Sequence, residues 1–294
     1  MLVFFDDILV YSKSFSDHRE HLRQVLSTLR KHKLYAKQTK CVFVVDQVEY
    51  LGHIISEKGV ATDPAKIAAV KDWPLPTNIS QLRSLLGFFG YYRRFIANYG
   101  VICRPLHDML KQDGFQWTDT QTAVVQKLKE SLITAPVLAL PDFSSPFTLE
   151  TDACGYGIGS VLMQKGRPIA YYSKTLGVKA ASMSTYDKEA LAILESLKRW
   201  RHYLLGSELM IETGQKSLKF ITEQKVADGI QHKLLLKLLE FNYSIEYKKG
   251  KENKAADALS RIEHTAMAIS VVIPTWIETV EQSYISDSYC QDLM

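Results

Sequence analysis

Residues 147–164, Phe-Thr-Leu-Glu-Thr-Asp-Ala-Cys-Gly-Tyr-Gly-Ile-Gly-Ser-Val-Leu-Met-Gln, decide how the 294-residue chain is read. Alternation places Phe147, Leu149 and Thr151 on one face of a strand and Thr148, Glu150 and Asp152 on the other. After Asp152 comes a glycine-rich turn that lets a partner approach the backbone closely, then a second strand at about 156–164. A third strand (167–174), a long helix (184–204), a strand (208–213), helices at 217–223 and 231–241, a strand (243–248) and a short helix (253–260) follow. Three strands and then alternating helices and strands describe an α/β layer with an antiparallel front half.

Toward the N-terminus, Pro136-Val-Leu-Ala-Leu-Pro-Asp142 has proline near each end and an extended apolar middle, which marks the main boundary. Residues 64–134 before it read as helical. Asp63-Pro64 is an N-cap with proline at the first helical position, and Asn78 with Gln81 is a capping-box pattern ahead of Leu82, Leu85, Leu86 and Phe89. Thr118 with Gln121 repeats that pattern and leads into Val124, Leu128 and Leu132. Earlier still, Val3–Phe5 and Ile8–Tyr11 flank Asp6-Asp7 as a tight hairpin with two carboxylates at its tip. A helix over Asp17–Lys31 carries a stripe of Leu22, Val25, Leu26 and Leu29, and Cys41–Val45 and Val48–Ser56 read as strands.

A composition of 46% hydrophobic and 23% charged residues is that of a globular chain and excludes disordered, collagen-like and disulfide-scaffold classes. No apolar run reaches the roughly 20 residues of a membrane span, and no basic segment precedes the opening apolar run, so the chain reads as intracellular, with no membrane partner. Cys41, Cys103, Cys154 and Cys290 lie far apart without paired spacing, which supports neither a zinc site nor a disulfide framework. The net charge of +4 conceals an asymmetry: Glu263, Glu278, Glu281, Asp287 and Asp292 follow the last basic residue, Arg261, leaving 36 basic against 27 acidic groups before it. That excess suits a polyanionic partner.

The acids that stand out are Asp152; Glu189, at the rim of the apolar arc of Ala190, Ile193, Leu194, Leu197, Trp200 and Leu204; and Asp257, on the last short helix. A carboxylate on the inner rim of a helix is costly unless a cation meets it. Singly, each reads as a solvated or capping residue. Tyr91, Tyr92, Arg93 and Arg94 pair aromatic faces with guanidinium groups, as grooves that track nucleic-acid backbones do. Lys216 and Lys219 adjoin the 208–213 strand, and Lys248, Lys249, Lys251 and Lys254 lead into Asp257; singly each reads as a solvated face, and as a set they would neutralise phosphates.

The segments FTLETDACGYGIGSVLMQ (147–164), PIAYYSKTL (168–176), STYDKEALAILESLKRWRHYLLG (184–206) and GKENKAADALSR (250–261) resemble, in order, the ribonuclease H domain of gypsy-class LTR retrotransposon polyproteins. VFFDDILVYS (3–12), VEYLGHIIS (48–56) and ISQLRSLLGFFGYYRRFI (79–96) resemble the last palm motifs and the thumb of the same elements' reverse transcriptase. The resemblance implies an α/β (α+β) chain: a palm remnant at 1–62, a thumb or connection subdomain at 63–135, a ribonuclease H-like five-stranded mixed sheet with flanking helices at 136–261, and an acidic linker or tail at 262–294.

It also implies chemistry. In that family four carboxylates hold two Mg²⁺ (or Mn²⁺) ions about 3.5 to 4 Å apart across the scissile phosphate of the RNA strand in an RNA:DNA hybrid. Asp152, Glu189 and Asp257 match three of them, and the fourth falls where this chain has Gly214. Glycine supplies no ligand. Glu212 lies two residues away, some 6 to 7 Å along the strand, and would have to reach back. Asp6 and Asp7, after Phe4, match the catalytic hairpin of reverse transcriptases, and Tyr50-Leu-Gly-His53 resembles the primer grip. The remaining palm aspartate is expected before Met1, so no DNA synthesis is expected of this chain alone. Two readings follow: a ribonuclease H impaired at Gly214, or a non-catalytic module that binds RNA:DNA hybrids. Tyr92, Arg93, Arg94, Lys216, Lys219, Lys249 and Lys251 are the expected nucleic-acid contacts, and other element-encoded chains are the further partners implied.

Overall fold

The computed structural model describes residues 1–111, 115–223 and 229–248. At the N-terminus, β1 (Leu2–Phe4) and β2 (Asp7–Leu9) pair antiparallel with Phe4 opposite Asp7. The reversal therefore falls on Phe5 and Asp6 rather than on Asp6-Asp7, with Phe5 at φ 49°. Helix α1 (Phe15–Lys31) starts two residues before the expected position because the Ser14 hydroxyl caps it, accepting from the Asp17 amide. Nothing on α1 is buried; Leu22, Val25 and Leu29 are half-buried and Leu26 is exposed, against the expected core stripe.

β3 (Gln47–Tyr50), β4 (His53–Ser56) and β5 (Gly59–Thr62) form an antiparallel three-stranded sheet. The single strand expected over 48–56 is thus a hairpin, reversed at Leu51 and Gly52 with φ of 50° and 69°, and 41–45 is not a strand. Asp63 caps α2 (Pro64–Lys71), and Asn78 caps α3 (Ile79–Tyr91), which buries Leu82, Leu85, Leu86 and Phe89. Short helices α4 (Tyr99–Ile102) and α5 (Arg104–Met109) lead to α6 (Asp119–Ile133), whose capping box joins Thr118 and Gln121. On α6, Val125, Leu128 and Leu132 face the core, and Val124 is only half-buried.

The third sheet holds β6 (Phe147–Ala153), β7 (Gly157–Gln164), β8 (Arg167–Thr175), β9 (Glu208–Thr213) and β10 (Asn242–Tyr247) in the order β10-β9-β6-β7-β8. β6, β7 and β8 run antiparallel; β6, β9 and β10 run parallel, so the sheet is mixed, as expected. A short α7 (Val178–Ala181) precedes α8 (Thr185–Arg199). The helix expected to run to 204 breaks at Trp200 and resumes as α9 (Arg201–Leu204). A 3-10 segment (Lys216–Glu223) and α10 (Gly229–Leu238) complete the layer. Phe147, Leu149 and Ile211 from the sheet, Ile193 and Leu197 from α8 and Leu234 from α10 share one core. The helix expected at 253–260 lies outside the described residues. Among the described residues no helix is long and apolar enough to cross a membrane.

Residues 136–142 stitch the two halves together. Val60 and Leu138 exchange backbone hydrogen bonds of 2.8 and 2.9 Å, and the Ala139 amide donates to Pro168 O at 2.7 Å. A side chain at Gly59 (φ 130°) would overlap Leu138 O. On α4, the Gly100 amide donates to Ser173 Oγ at 2.8 Å, and a Cβ there would stand 2.5 Å from Ser173 O, so only glycine allows α4 to lie this close to β8.

Candidate active site

Asp152 reaches the end of the sheet on β6, and Glu189 comes from α8, which Ser184 caps by accepting from the Asp187 amide. Glu189 is 4% exposed and accepts a hydrogen bond from Thr213 Oγ1 at 3.2 Å. Burial, and next the charge of Asp152, push its carboxyl up to about 8, against the opposing pull of the Thr213 hydroxyl and the Ala153 amide. A Cβ on Gly214 would stand 3.5 Å from Glu189 Oε1 and 3.7 Å from Asp152 Oδ1, in ordinary contact with both. Gly214 has no left-handed φ that would demand glycine. The two carboxylates and the end of β9 therefore meet at one point, where a longer side chain would fit.

The donor set is oxygen-only, which suits a hard divalent cation such as Mg²⁺. Among the described residues no group of three or more His, Cys, Asp or Glu side chains could hold a metal. Asp257, Lys249, Lys251 and Lys254 lie outside the described residues, as does Cys290. Cys103 is buried, which pushes its thiol up to about 12; among the described residues Cys41, Cys103 and Cys154 form no disulfide.

Glu212 does not turn back toward Gly214. Its Oε2 accepts from Lys248 Nζ at 2.7 Å, and Lys248 also donates to Glu150 Oε1 at 2.5 Å. The parallel register explains this: Glu150, Glu212 and Glu246 lie side by side on β6, β9 and β10, and Lys248 follows β10 directly. Burial raises the Glu150 carboxyl, and Lys248 opposes the shift. Lys248, expected among the phosphate-neutralising lysines, is thus committed to an internal ion pair.

Asp6 and Asp7 are exposed on the first hairpin, and Tyr50 Oη donates to Asp7 O at 3.4 Å. Tyr50-Leu-Gly-His53 forms the β3–β4 turn, whose carbonyls are held from α3 and its C-cap: Tyr91 Oη donates to Leu51 O at 2.5 Å and Tyr92 Oη to Gly52 O at 2.8 Å. Tyr92 is 2% exposed, so it is not a stacking platform for bases. A buried tyrosine hydroxyl needs a partner, and this one finds it on the turn. Arg94 is half-buried, with Nη2 donating to Ile169 O at 3.4 Å and its backbone oxygen accepting from the Tyr171 amide; its role in the fold is to tie α3's end to β8. Arg93, Lys216 and Lys219 are exposed. What the sequence pattern missed is the role of Glu150, as the buried partner of Lys248, and the aromatic setting of His53. The His53 ring stacks on Tyr91 at 5.3 Å and meets Tyr92 edge-on.

Comparison with known proteins fits this geometry. The family described as reverse transcriptase (RNA-dependent DNA polymerase) matches residues 1–55, and the RNase H-like domain found in reverse transcriptase matches residues 117–211. The Pol polyprotein of transposon 297 from Drosophila melanogaster is 38% identical over 266 residues, covering 89% of this chain and 25% of that polyprotein. The Tf2-3 polyprotein of Schizosaccharomyces pombe is 39% identical over 272 residues, covering 89% of this chain and 20% of its own length. The chain thus spans a fifth to a quarter of these relatives. Among solved structures, a foamy viral protease-reverse transcriptase in complex with RNA/DNA hybrid aligns with a TM-score of 0.74 at 20% identity, over 88% of this chain and 36% of that one. The same type of protein bound to double-stranded DNA gives 0.73 at 20% identity, over 81% and 44%. At that identity the likeness is one of fold.

Proposed function

The chain belongs to the retrovirus-related Pol polyproteins of transposons, as a stretch of reverse transcriptase leading into its RNase H-like domain, and on that premise we propose that it binds RNA:DNA hybrids and hydrolyses their RNA strand weakly. The observation that carries this reading is the convergence of Asp152 and Glu189 on Gly214. Asp152 and Glu189, with Asp257 by motif position, would hold Mg²⁺ or Mn²⁺, which when bound supplies water activation and neutralisation of phosphate charge. A second ion would lack the ligand that position 214 withholds. Glu212 offers no replacement while Lys248 holds it. Lys216, Lys219, Lys249 and Lys251 are assigned to the phosphates of the hybrid, and Arg93 to those of a single strand; Tyr92 and Lys248 are withdrawn from the contact set, and Arg94 serves the fold. Asp6 and Asp7 are assigned to the polymerase site of the reverse transcriptase family. The domain limits proposed are 1–62, 63–135, 136–261 and 262–294.

Gly214 also favours the second reading, a hybrid-binding module without catalysis. One experiment separates them. The chain and its Gly214→Asp variant are compared on a labelled RNA:DNA hybrid with Mg²⁺, for binding and for cleavage. Restoring a ligand is expected to raise cleavage at least about tenfold with binding unchanged. Equal cleavage by both would overturn the impairment. Binding without cleavage by both selects the module, and no binding by either overturns hybrid recognition.

A further inference from the structure

A cleft of about 360 Å³ opens where the end of α3, α4 and α5 meet β8 and the end of α8. That volume matches one small ligand or one nucleotide unit. Arg93, Arg199, His107 and His202 line it, together with Tyr172 and Tyr203. Neither Arg93 nor Arg199 has a carboxylate within ion-pair distance among the described residues, although the exposed arginines Arg23 and Arg201 do. Lys174, also on the wall, is shared with Glu195, itself outside the lining. Among the described residues Arg94 contributes a third guanidinium without an ion pair, and its buried Nε finds no hydrogen-bond partner there. Among the described residues no Asp or Glu lines the cleft.

Uncompensated guanidinium groups beside half-buried tyrosines in a nucleotide-sized hollow match the chemistry of single-strand recognition, where phosphates meet cations and bases meet aromatic walls. The cleft is separate from the carboxylate pair. Ser173 on its wall is in register with Gly159, and Gly159 with Asp152, so two strand spacings, roughly 10 Å, lie between. We propose that this cleft binds one nucleotide of a single-stranded nucleic-acid segment, its phosphate held by Arg93 and Arg199. The site extends the nucleic-acid reading above but has its own ligand, so the two can fail separately.

The full chain, the Arg93→Ala/Arg199→Ala double variant and the Arg93→Lys/Arg199→Lys variant are titrated by fluorescence anisotropy with a labelled thymidine oligonucleotide and with a blunt RNA:DNA hybrid. The alanine pair is expected to weaken oligonucleotide binding about tenfold or more and to flatten its log–log salt slope by roughly 0.7, the share of one phosphate on a single strand. The lysine pair keeps the slope, and hybrid affinity stays within about threefold in both variants. An unchanged oligonucleotide affinity and slope, or an equal loss on both ligands, overturns the proposal. If the unmodified chain binds the hybrid but not the oligonucleotide, this inference falls and hybrid recognition stands; the reverse result does the opposite. Displacement of the oligonucleotide by equimolar dTMP would assign the cleft to a free nucleotide and overturn the strand assignment.

Discussion

In the five-stranded sheet Phe147, Leu149 and Ile211 are fully buried under α8 and α10, whereas among residues 1–45 only Leu9 is buried and Leu2, Phe4, Phe5, Phe15 and Leu26 stand exposed. Both regions carry amphipathic patterns of similar quality. The difference is pairing. β6 gains neighbours from strands ten and sixty residues later, so its apolar face is covered from within the chain. The β1–β2 hairpin and α1 are local elements, and a local element with an apolar stripe needs a surface to lie on before that stripe contributes. Periodicity says which side is apolar, and only long-range contacts decide whether it is covered.

The sharpest way to break this comparison is to cut apolar mass from each region. Phe147→Ala removes a fully buried ring from the sheet's core and is expected to cost about 3–5 kcal/mol. Leu26→Ala removes a side chain that is 47% exposed and is expected to change stability by less than about 0.5 kcal/mol. Urea unfolding followed by tryptophan fluorescence measures both. Losses of similar size would mean that α1 is covered in solution and the contrast is wrong.

A smaller effect tests what holds the open face of the sheet. Lys248→Met leaves Glu150, 5% exposed, beside Glu212 with no counter-charge. Breaking a buried pair costs about 3–5 kcal/mol, and the partial exposure of Lys248 brings the expected loss to about 2–3. Adding Glu150→Gln to that variant should recover most of it. A loss that the second substitution does not relieve would place the role of Lys248 in packing rather than charge.

At the seam, Gly100→Ala drives a Cβ to 2.5 Å from Ser173 O and is expected to cost about 1–3 kcal/mol, whereas Gly155→Ala, with nothing within 4 Å, should stay within about 0.5. Equal behaviour of the two would show that α4 yields easily at its contact with β8.

Much of this was legible from local pattern. The Thr148, Glu150 and Asp152 face, the caps at Asp63, Asn78 and Thr118, and the α3 stripe depend on neighbours in sequence, and the structure keeps them. What was not legible depended on distant partners or on a backbone choice without a signature. Gly52 was the available mark of the positive φ that folds 48–56 into a hairpin, but Val48, Tyr50 and Ile54 continue one strand-like alternation across it. In Tyr91-Tyr92-Arg93-Arg94 the helix ends within the motif, so spacing could not tell that Tyr92 turns inward while Arg93 stays in solvent. Lys248 reads as a phosphate contact until the register of β6, β9 and β10 brings two glutamates to it.

The smallest effect lies at the β3–β4 turn, where the exposed first region passes into the covered one. Burial, and next the Arg94 charge, lower the His53 imidazole from its ordinary 6.5 to about 4, so it is neutral in the folded chain at pH 5–6, where the unfolded chain has begun to bind a proton. Between those two values the unfolded state holds more protons than the folded one. Stability is therefore full above about pH 6.5, falls as the pH drops toward 4 and levels below it. His53→Phe keeps a ring against Tyr91 and removes the proton. The variant should be insensitive at this site, so the gap between its urea midpoint and the parent's should widen from pH 7 to pH 4.5. A constant gap would mean that the ring is solvated, and that the coverage distinguishing the sheet from the first 45 residues does not yet extend to this turn.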